Sequence, residues 1–213
     1  MSDKSVFQRK IIGLTGKMAS GKNLAAKILE NLGCVSIDAD LVVHDAVESA
    51  KDKIIQTFEK EANEKNINFI DENGKIIRKE LSKIVFSSEE NLKKQESIVH
   101  PEVEKIMEDF INKNPDKNII LNATVLYKVP LISECDTIIF ITAPSIVRFI
   151  RAKKRDKLST KQILKRFYAQ NDLFAKYQKL NSDIYKVRNL GSKKLLEKKL
   201  TNLFKQITTE SPS

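Results

Sequence analysis

Two glycines five residues apart, with a lysine directly after the second, mark the chemistry of this chain: Gly16-Lys17-Met18-Ala19-Ser20-Gly21-Lys22. Glycines in this spacing let the backbone turn tightly and come close to a ligand, while main-chain N–H groups address phosphate oxygens. A lysine in the last position neutralises the β- and γ-phosphates of a nucleoside triphosphate. The pattern needs a strand before it and a helix after it. Ile11-Ile12-Gly13-Leu14-Thr15 is a short apolar run suited to a buried strand. From residue 22 to 32, Leu24, Ala25, Ile28, Leu29 and Leu32 recur at helical spacing, and Gly33 stops the run. ATP with Mg2+ is the expected ligand. One position departs from the pattern. Where a hydroxyl residue usually joins the magnesium shell stands Asn23, whose amide oxygen is a hard ligand of different geometry, acting directly or through water.

Asp38 and Asp40 follow a second short strand, Val35-Ser36-Ile37. Ligands of open parallel sheets sit beyond the carboxyl ends of the strands, and residues two apart in an extended segment share a face. One carboxylate can accept a proton from an attacking hydroxyl while the other orients water around magnesium; the bland alternative is a helix cap and a solvated acid. Arg148, Arg151, Lys153, Lys154, Arg155 and Lys157 form a basic cluster. Arg151 and Arg155 are four apart on one helical face, where guanidinium groups can meet charge developing on a transferring phosphoryl group. The lysines read as solvated surface. His100 precedes Pro101 between two helical stretches, with no second histidine, cysteine or acid pair near enough in sequence to suggest a metal.

These side chains need a frame. Ile119-Ile120-Leu121 and Ile138-Ile139-Phe140-Ile141 are continuous apolar runs suited to strands covered on both faces. Residues 184–187 read as a last strand and 192–207 as a last helix. Strands alternating with helices predict an α/β fold with a parallel sheet flanked by helices. The stretch up to about residue 117 is Lys-, Glu- and Asn-rich but regularly patterned, so it reads as a helical insertion. Asp71-Glu72-Asn73-Gly74 is a turn within it, and Ser87-Ser88-Glu89-Glu90 reads as a capping box. Residues 146–179 are helical and basic, with a second capping box at Ser159-Thr160-Lys161-Gln162.

At 213 residues, 41% hydrophobic and 31% charged, the chain suits one α/β domain with an appendage. Its net charge of +10 attracts polyanions. The lysines are scattered among glutamates without aromatic interleaving, which favours an enzyme with anionic ligands over a nucleic-acid binder. Cys34 and Cys135 are too isolated for a disulfide framework or zinc site and read as buried thiols. The N-terminal ten residues lack the apolar core of a signal peptide, and no apolar stretch is long enough to span a bilayer. A cytoplasmic location is expected by elimination.

Taken together, these residues resemble the dephospho-CoA kinase family over residues 11 to 203. Gly13-Leu14-Thr15-Gly16 through Gly21-Lys22, then Leu32-Gly33 and Ile37-Asp38-Ala39-Asp40, reproduce its N-terminal signature in order and spacing. Gly74-Lys75-Ile76-Ile77-Arg78, Leu81, Phe86 and His100-Pro101 match its inserted helical region, and Arg151, Arg155-Asp156 and Gln170 its lid. The resemblance implies a P-loop kinase fold. Its nucleotide-binding core would take residues 10–44, 117–147 and 184–208, the CoA-binding insertion 45–116 and the lid 148–183. It implies transfer of the ATP γ-phosphoryl to the ribose 3′-hydroxyl of dephospho-CoA, by a monomer whose partners are those two substrates. Asp40 would be the general base, with Lys22, Arg151 and Arg155 catalytic on the phosphates. Residues 16–23 with Asn189 would bind ATP, and Thr15, Asp38, Asp40 and His100 would border the acceptor. The alternatives are a kinase for another nucleoside or nucleotide, or a catalytically weak ATP-binding protein. Asn23 and Asn122 suggest the second of these. Three stretches depart from the family pattern: Asn23; Asn122 through Lys128, where the family reads Asp through Glu; and Lys186-Val187-Arg188-Asn189, where it prefers an acidic turn.

Overall fold

Apolar runs without polar alternation build a sheet covered on both faces. The computed structural model describes residues 8–128, 130–156, 158–180 and 182–209; Lys157 of the basic cluster lies outside them. The strands are β1 (Ile11–Gly16), β2 (Val35–Asp38), β3 (Ile119–Asn122), β4 (Thr137–Thr142) and β5 (Asp183–Arg188). All pair in parallel in the order β2-β3-β1-β4-β5. The register sets Asp38 beside Asn122 and Gly16 beside Ile141, so the carboxyl ends of four strands gather at one edge.

The connecting helices are α1 (Lys22–Glu30), α2 (Ala39–Ser49), α3 (Lys51–Glu64), α4 (Arg78–Val85), α5 (Glu89–Asn112), α6 (Ser145–Asp156), α7 (Thr160–Ala169), α8 (Leu173–Tyr177) and α9 (Lys193–Thr209). Two short 3-10 turns follow β3, at Leu126–Lys128 and Pro130–Glu134. The described chain divides into two compact units, one running to Ala39 and resuming at Ile111, the other Asp40–Phe110.

In the first unit, alternation along the strands sorts side chains to two faces. Ile12, Leu14, Ile120, Ile139, Ile141 and Val187 join Ala25, Ile28 and Leu29 of α1 and Leu196 and Leu200 of α9 in one buried cluster. Phe140, one residue out of phase with Ile139 and Ile141, packs edge-on against Phe174 and Tyr177 of α8, at ring separations of 5.0 and 5.7 Å. The second unit buries Ile54 and Phe58 of α3, Leu81 and Ile84 of α4, and Val99, Val103 and Met107 of α5. Its expected turn is present: Asp71 Oδ1 accepts from the N–H groups of Asn73 and Lys75.

One local expectation holds and two are revised. The capping box at Ser159 forms with Gln162 as read. At α5 the cap sits one residue later than read. Ser88 Oγ accepts from the Asn91 N–H, while Ser87 Oγ turns back to the Ile84 carbonyl. His100 and Pro101 do not separate two helices; Pro101 lies inside α5. Proline removes one helical hydrogen bond, yet the apolar positions 99, 103 and 107 keep their spacing across it, and their burial carries the helix through.

No described helix is long and apolar enough to cross a membrane. Cys34 and Cys135 are free and buried, as the sequence suggests, and burial pushes both thiols up to about 12. Only the thiolate is nucleophilic, so at about pH 8 the folded protein should resist iodoacetamide, while both thiols alkylate in strong guanidinium. Rapid uptake of reagent by the native protein would contradict this placement.

Candidate functional site

The loop from Gly16 to Lys22 joins the end of β1 to the start of α1. Its two glycines are required by what lies against them. A Cβ on Gly16 would stand 2.5 Å from the Ile141 carbonyl oxygen. One on Gly21, where φ is 98°, would stand 2.1 Å from Asn189 Nδ2. Gly21 caps α1 without a side-chain acceptor. The first-turn N–H groups thus get no side-chain cap and sit at the positive end of the helix dipole, an arrangement that receives anions. Ala19 holds a left-handed φ of 59°, strain of roughly 1–2 kcal/mol for a residue with a Cβ.

Side chains from the far end of the chain grip this loop. Ser20's carbonyl accepts from Asn189 Nδ2 at 2.8 Å and from Arg151 Nη1 at 3.3 Å. Asn189 is itself fixed, its main-chain N–H donating to the Thr142 carbonyl at 2.7 Å. Met18's N–H donates to Gln170 Oε1 at 2.7 Å, and its carbonyl accepts from Arg148 Nη1 at 3.4 Å. Lys17 Nζ donates to the Asn171 carbonyl at 2.9 Å. Burial and the neighbouring Arg148 lower the Lys17 pKa, with Asp172 opposing.

The other expected residues fall in distinct places. Lys22 is buried at the first position of α1, and Asn23 beside it is exposed. Thr15 is fully buried; its Oγ1 meets the Tyr177 hydroxyl at 2.9 Å and the Thr124 carbonyl at 3.2 Å. Burial holds the Tyr177 phenol up at about 12. Asp38 ends β2, and Asp40 occupies the first turn of α2. His100 lies within α5. Arg155 does not reach the loop. It is engaged with its neighbour Asp156, Nη2 to Oδ2 at 2.8 Å, which raises the guanidinium pKa and lowers that of the carboxyl.

Among the described residues three buried side-chain atoms have no hydrogen-bond partner, two of them at this end of the sheet: Ser20 Oγ in the loop and Asn122 Oδ1 at the end of β3; the third is Gln95 Oε1 in α5. A buried polar atom without a partner is costly, so Ser20 Oγ and Asn122 Oδ1 are free to pair with a ligand or water. Asn122 pairs in register with Asp38 on the adjacent strand. An amide there keeps the pair singly charged, where two carboxylates would repel. For a metal, no cluster of three His, Cys, Asp or Glu occurs among the described residues. Magnesium keeps several waters and takes substrate phosphates, needing few protein oxygens. Asn23, the orphaned Asn122 oxygen and Asp38 fit that sparse role.

The sequence points to Asn189 and Arg151 at the site, names Arg148 only as part of the basic cluster and Gln170 only as part of the lid, and does not single out Tyr177. Each acts through a contact with residues more than a hundred positions away, which local periodicity does not report. For Arg148 the available signal was its place in the basic cluster, one turn before Arg151.

A model of the dephospho-CoA kinase family matches residues 10–191. A dephospho-CoA kinase of Treponema denticola is 42% identical over 194 residues, covering 89% of this chain and 86% of its own length. One of Treponema pallidum is 33% identical over 193 residues, covering 89% and 92%. Among solved structures, a Thermus thermophilus protein superposes with a TM-score of 0.76 at 25% identity, over 97% of this chain and all of its own. Dephospho-CoA kinase from Campylobacter jejuni gives 0.62 at 25% identity, over 95% and 99%. An Acinetobacter baumannii shikimate kinase, at 17% identity and 0.51, shares the fold.

Gly21→Ala drives a Cβ into the Asn189 amide from a backbone conformation that alanine rarely adopts. Its affinity for ATP by calorimetry should fall about tenfold or more with circular dichroism unchanged, a loss of ~1.4 kcal/mol. Asn189→Ala should weaken it less, about two- to tenfold. Wild-type affinity in both variants would show that this contact does not shape the loop.

Proposed function

The chain belongs to the dephospho-CoA kinase family, and from that premise we propose how its residues divide the work. It is an ATP-dependent phosphotransferase whose acceptor is the ribose 3′-hydroxyl of dephospho-CoA, giving CoA and ADP. The observation that carries the reading is the buttressed loop between β1 and α1, with Lys22 at its helical end.

The loop's amides and Lys22 hold the ATP phosphates, aided by the α1 dipole. Arg151, already beside the Ser20 carbonyl, meets charge spreading over the transferred group. Arg155 does so once it exchanges the Asp156 carboxylate for a phosphate oxygen. Asp40 accepts the proton of the attacking hydroxyl, and Asp38 and His100 border the acceptor. Asn189 serves ATP by fixing the loop. Thr15, its hydroxyl committed to Tyr177, contributes by anchoring the loop's entry strand. Mg2+ accompanying ATP would be held by Asn23, Asp38 and Asn122 and would supply charge neutralisation on the phosphates. Excluding water and aligning acceptor with donor is the lid's share. We take residues 45–116 as the acceptor-binding insertion and 148–183 as the lid. We place the enzyme in the cytoplasm as a monomer; two free thiols suit a reducing compartment.

Purified protein with ATP, Mg2+ and dephospho-CoA should form CoA, and no product at high enzyme concentration would remove the activity. Asp40→Asn should leave the ATP dissociation constant nearly unchanged while turnover falls by about a hundredfold or more. Equal losses in binding and turnover would reassign Asp40 to ligand holding. Lys22→Ala should lower both nucleotide affinity and turnover.

A further inference from the structure

Arg148 carries a charge that the reaction does not use. The residue is 5% exposed, and among the described residues no carboxylate forms an ion pair with it. Its guanidinium carbon lies 4.2 Å from the Phe167 ring centroid. Its hydrogen bonds are long ones, Nη1 to the Met18 carbonyl at 3.4 Å and Nη2 to Ser145 Oγ at 3.5 Å. A buried cation without a counter-charge is costly, because its lost hydration is not repaid. Folds keep such a group where something anionic completes it.

Two further cations stand with it. Lys17 Nζ is held by the Asn171 carbonyl, and Lys186 Nζ sits 3.7 Å from the Phe174 ring centroid. Neither forms an ion pair with a described carboxylate. Lys17, Arg148 and Lys186 line one cavity of about 240 Å3, with Thr142 and Ser145 adding hydroxyls and Phe174 an apolar wall. Ser145 is also the first residue of α6, so the positive end of that helix borders the same space. Burial lowers the Lys17 pKa, the nearby Arg148 charge lowers it further, and the Asp172 carboxylate acts the other way.

This cavity borders the triphosphate loop, sharing Lys17 with it, but opens on the other side of the sheet from the α1 cradle. Ile139 and Ile141 of β4 face the core under α1 and α9, so Phe140 and Thr142, which line the cavity, face the opposite side of the sheet. The cradle belongs to the N-terminus of α1; the cavity does not. We propose that the cavity is a second anion site, taking one phosphate group, free or carried by a small molecule, between Lys17, Arg148 and Lys186. Since Arg148 also holds the Met18 carbonyl, an anion seated here would touch the loop from outside.

The test is thermal unfolding in phosphate-free buffer, titrating inorganic phosphate against sodium chloride of equal ionic strength. Wild-type protein should show a saturable rise in Tm beyond the chloride control. Lys186→Gln, at an exposed position, should raise the half-saturating concentration at least about threefold, and Arg148→Met about tenfold or more. Lys22→Ala should keep the phosphate response and lose affinity for ATP, so failure of the loop reading and failure of this one are told apart. No saturable response in wild type overturns the proposal. So does a response that Lys22→Ala removes and Arg148→Met and Lys186→Gln leave intact. If Arg148→Met does not fold, Lys186→Gln decides alone. A final arm adds dephospho-CoA: competition with phosphate assigns the site to that substrate's diphosphate, and additive stabilisation assigns it to free phosphate. Both results retain the site.

Discussion

A loop of a few residues keeps a fixed path only if its main-chain carbonyls are taken up, and here they are taken up from outside. Ser20's carbonyl is held by Asn189 and Arg151, and Met18's peptide groups by Gln170 and Arg148. These donors and acceptors come from α6, from the turn after α7 and from the turn after β5. The parallel sheet makes that possible, because it delivers the ends of β1, β4 and β5 side by side. The register that pairs Gly16 with Ile141 brings the backbone so near that no side chain fits at position 16. Phosphate binding is thus a property of the assembled sheet, although the motif that announces it is local.

That contrast decides how much could be read in advance. The strands were legible because buried parallel strands are unbroken apolar runs, and α1 because its apolar residues recur at helical spacing. Ser159 and Gln162 formed the box their spacing implied, since both partners lie within one turn. The reading slipped where two local signals competed. Ser87 and Ser88 both suited the cap, and the choice fell to Ser88 because Ser87 had the Ile84 carbonyl to satisfy. Pro101 looked like a boundary, yet a buried stripe on either side outweighed one missing hydrogen bond. The grip on the loop was out of reach for another reason: Gln170 and Arg148 meet Met18 only after the sheet has formed.

The departures from the family pattern acquire physical form. Asn23 is exposed on α1, so its oxygen is available to a solvated ion. Asn122 is buried beside Asp38 with an unmatched oxygen, which keeps an acceptor in place without adding a second negative charge. Lys186, in β5, stands over Phe174, a cation resting on an aromatic face.

Strand order also sets the timetable of folding. β1 finds its two neighbours only in β3 and β4, its first residue Ile11 pairing with Ile119. At roughly 5–20 residues per second of synthesis, the Ile11–Gly16 segment waits several seconds after leaving the ribosome with both edges unsatisfied. Over that interval it is a short apolar strand open to any passing edge. The helical stretch between β1 and β3 is Lys- and Glu-rich and patterned to fold on local contacts. A nascent chain so arranged carries its own soluble spacer, and its hazard lies in the order of emergence.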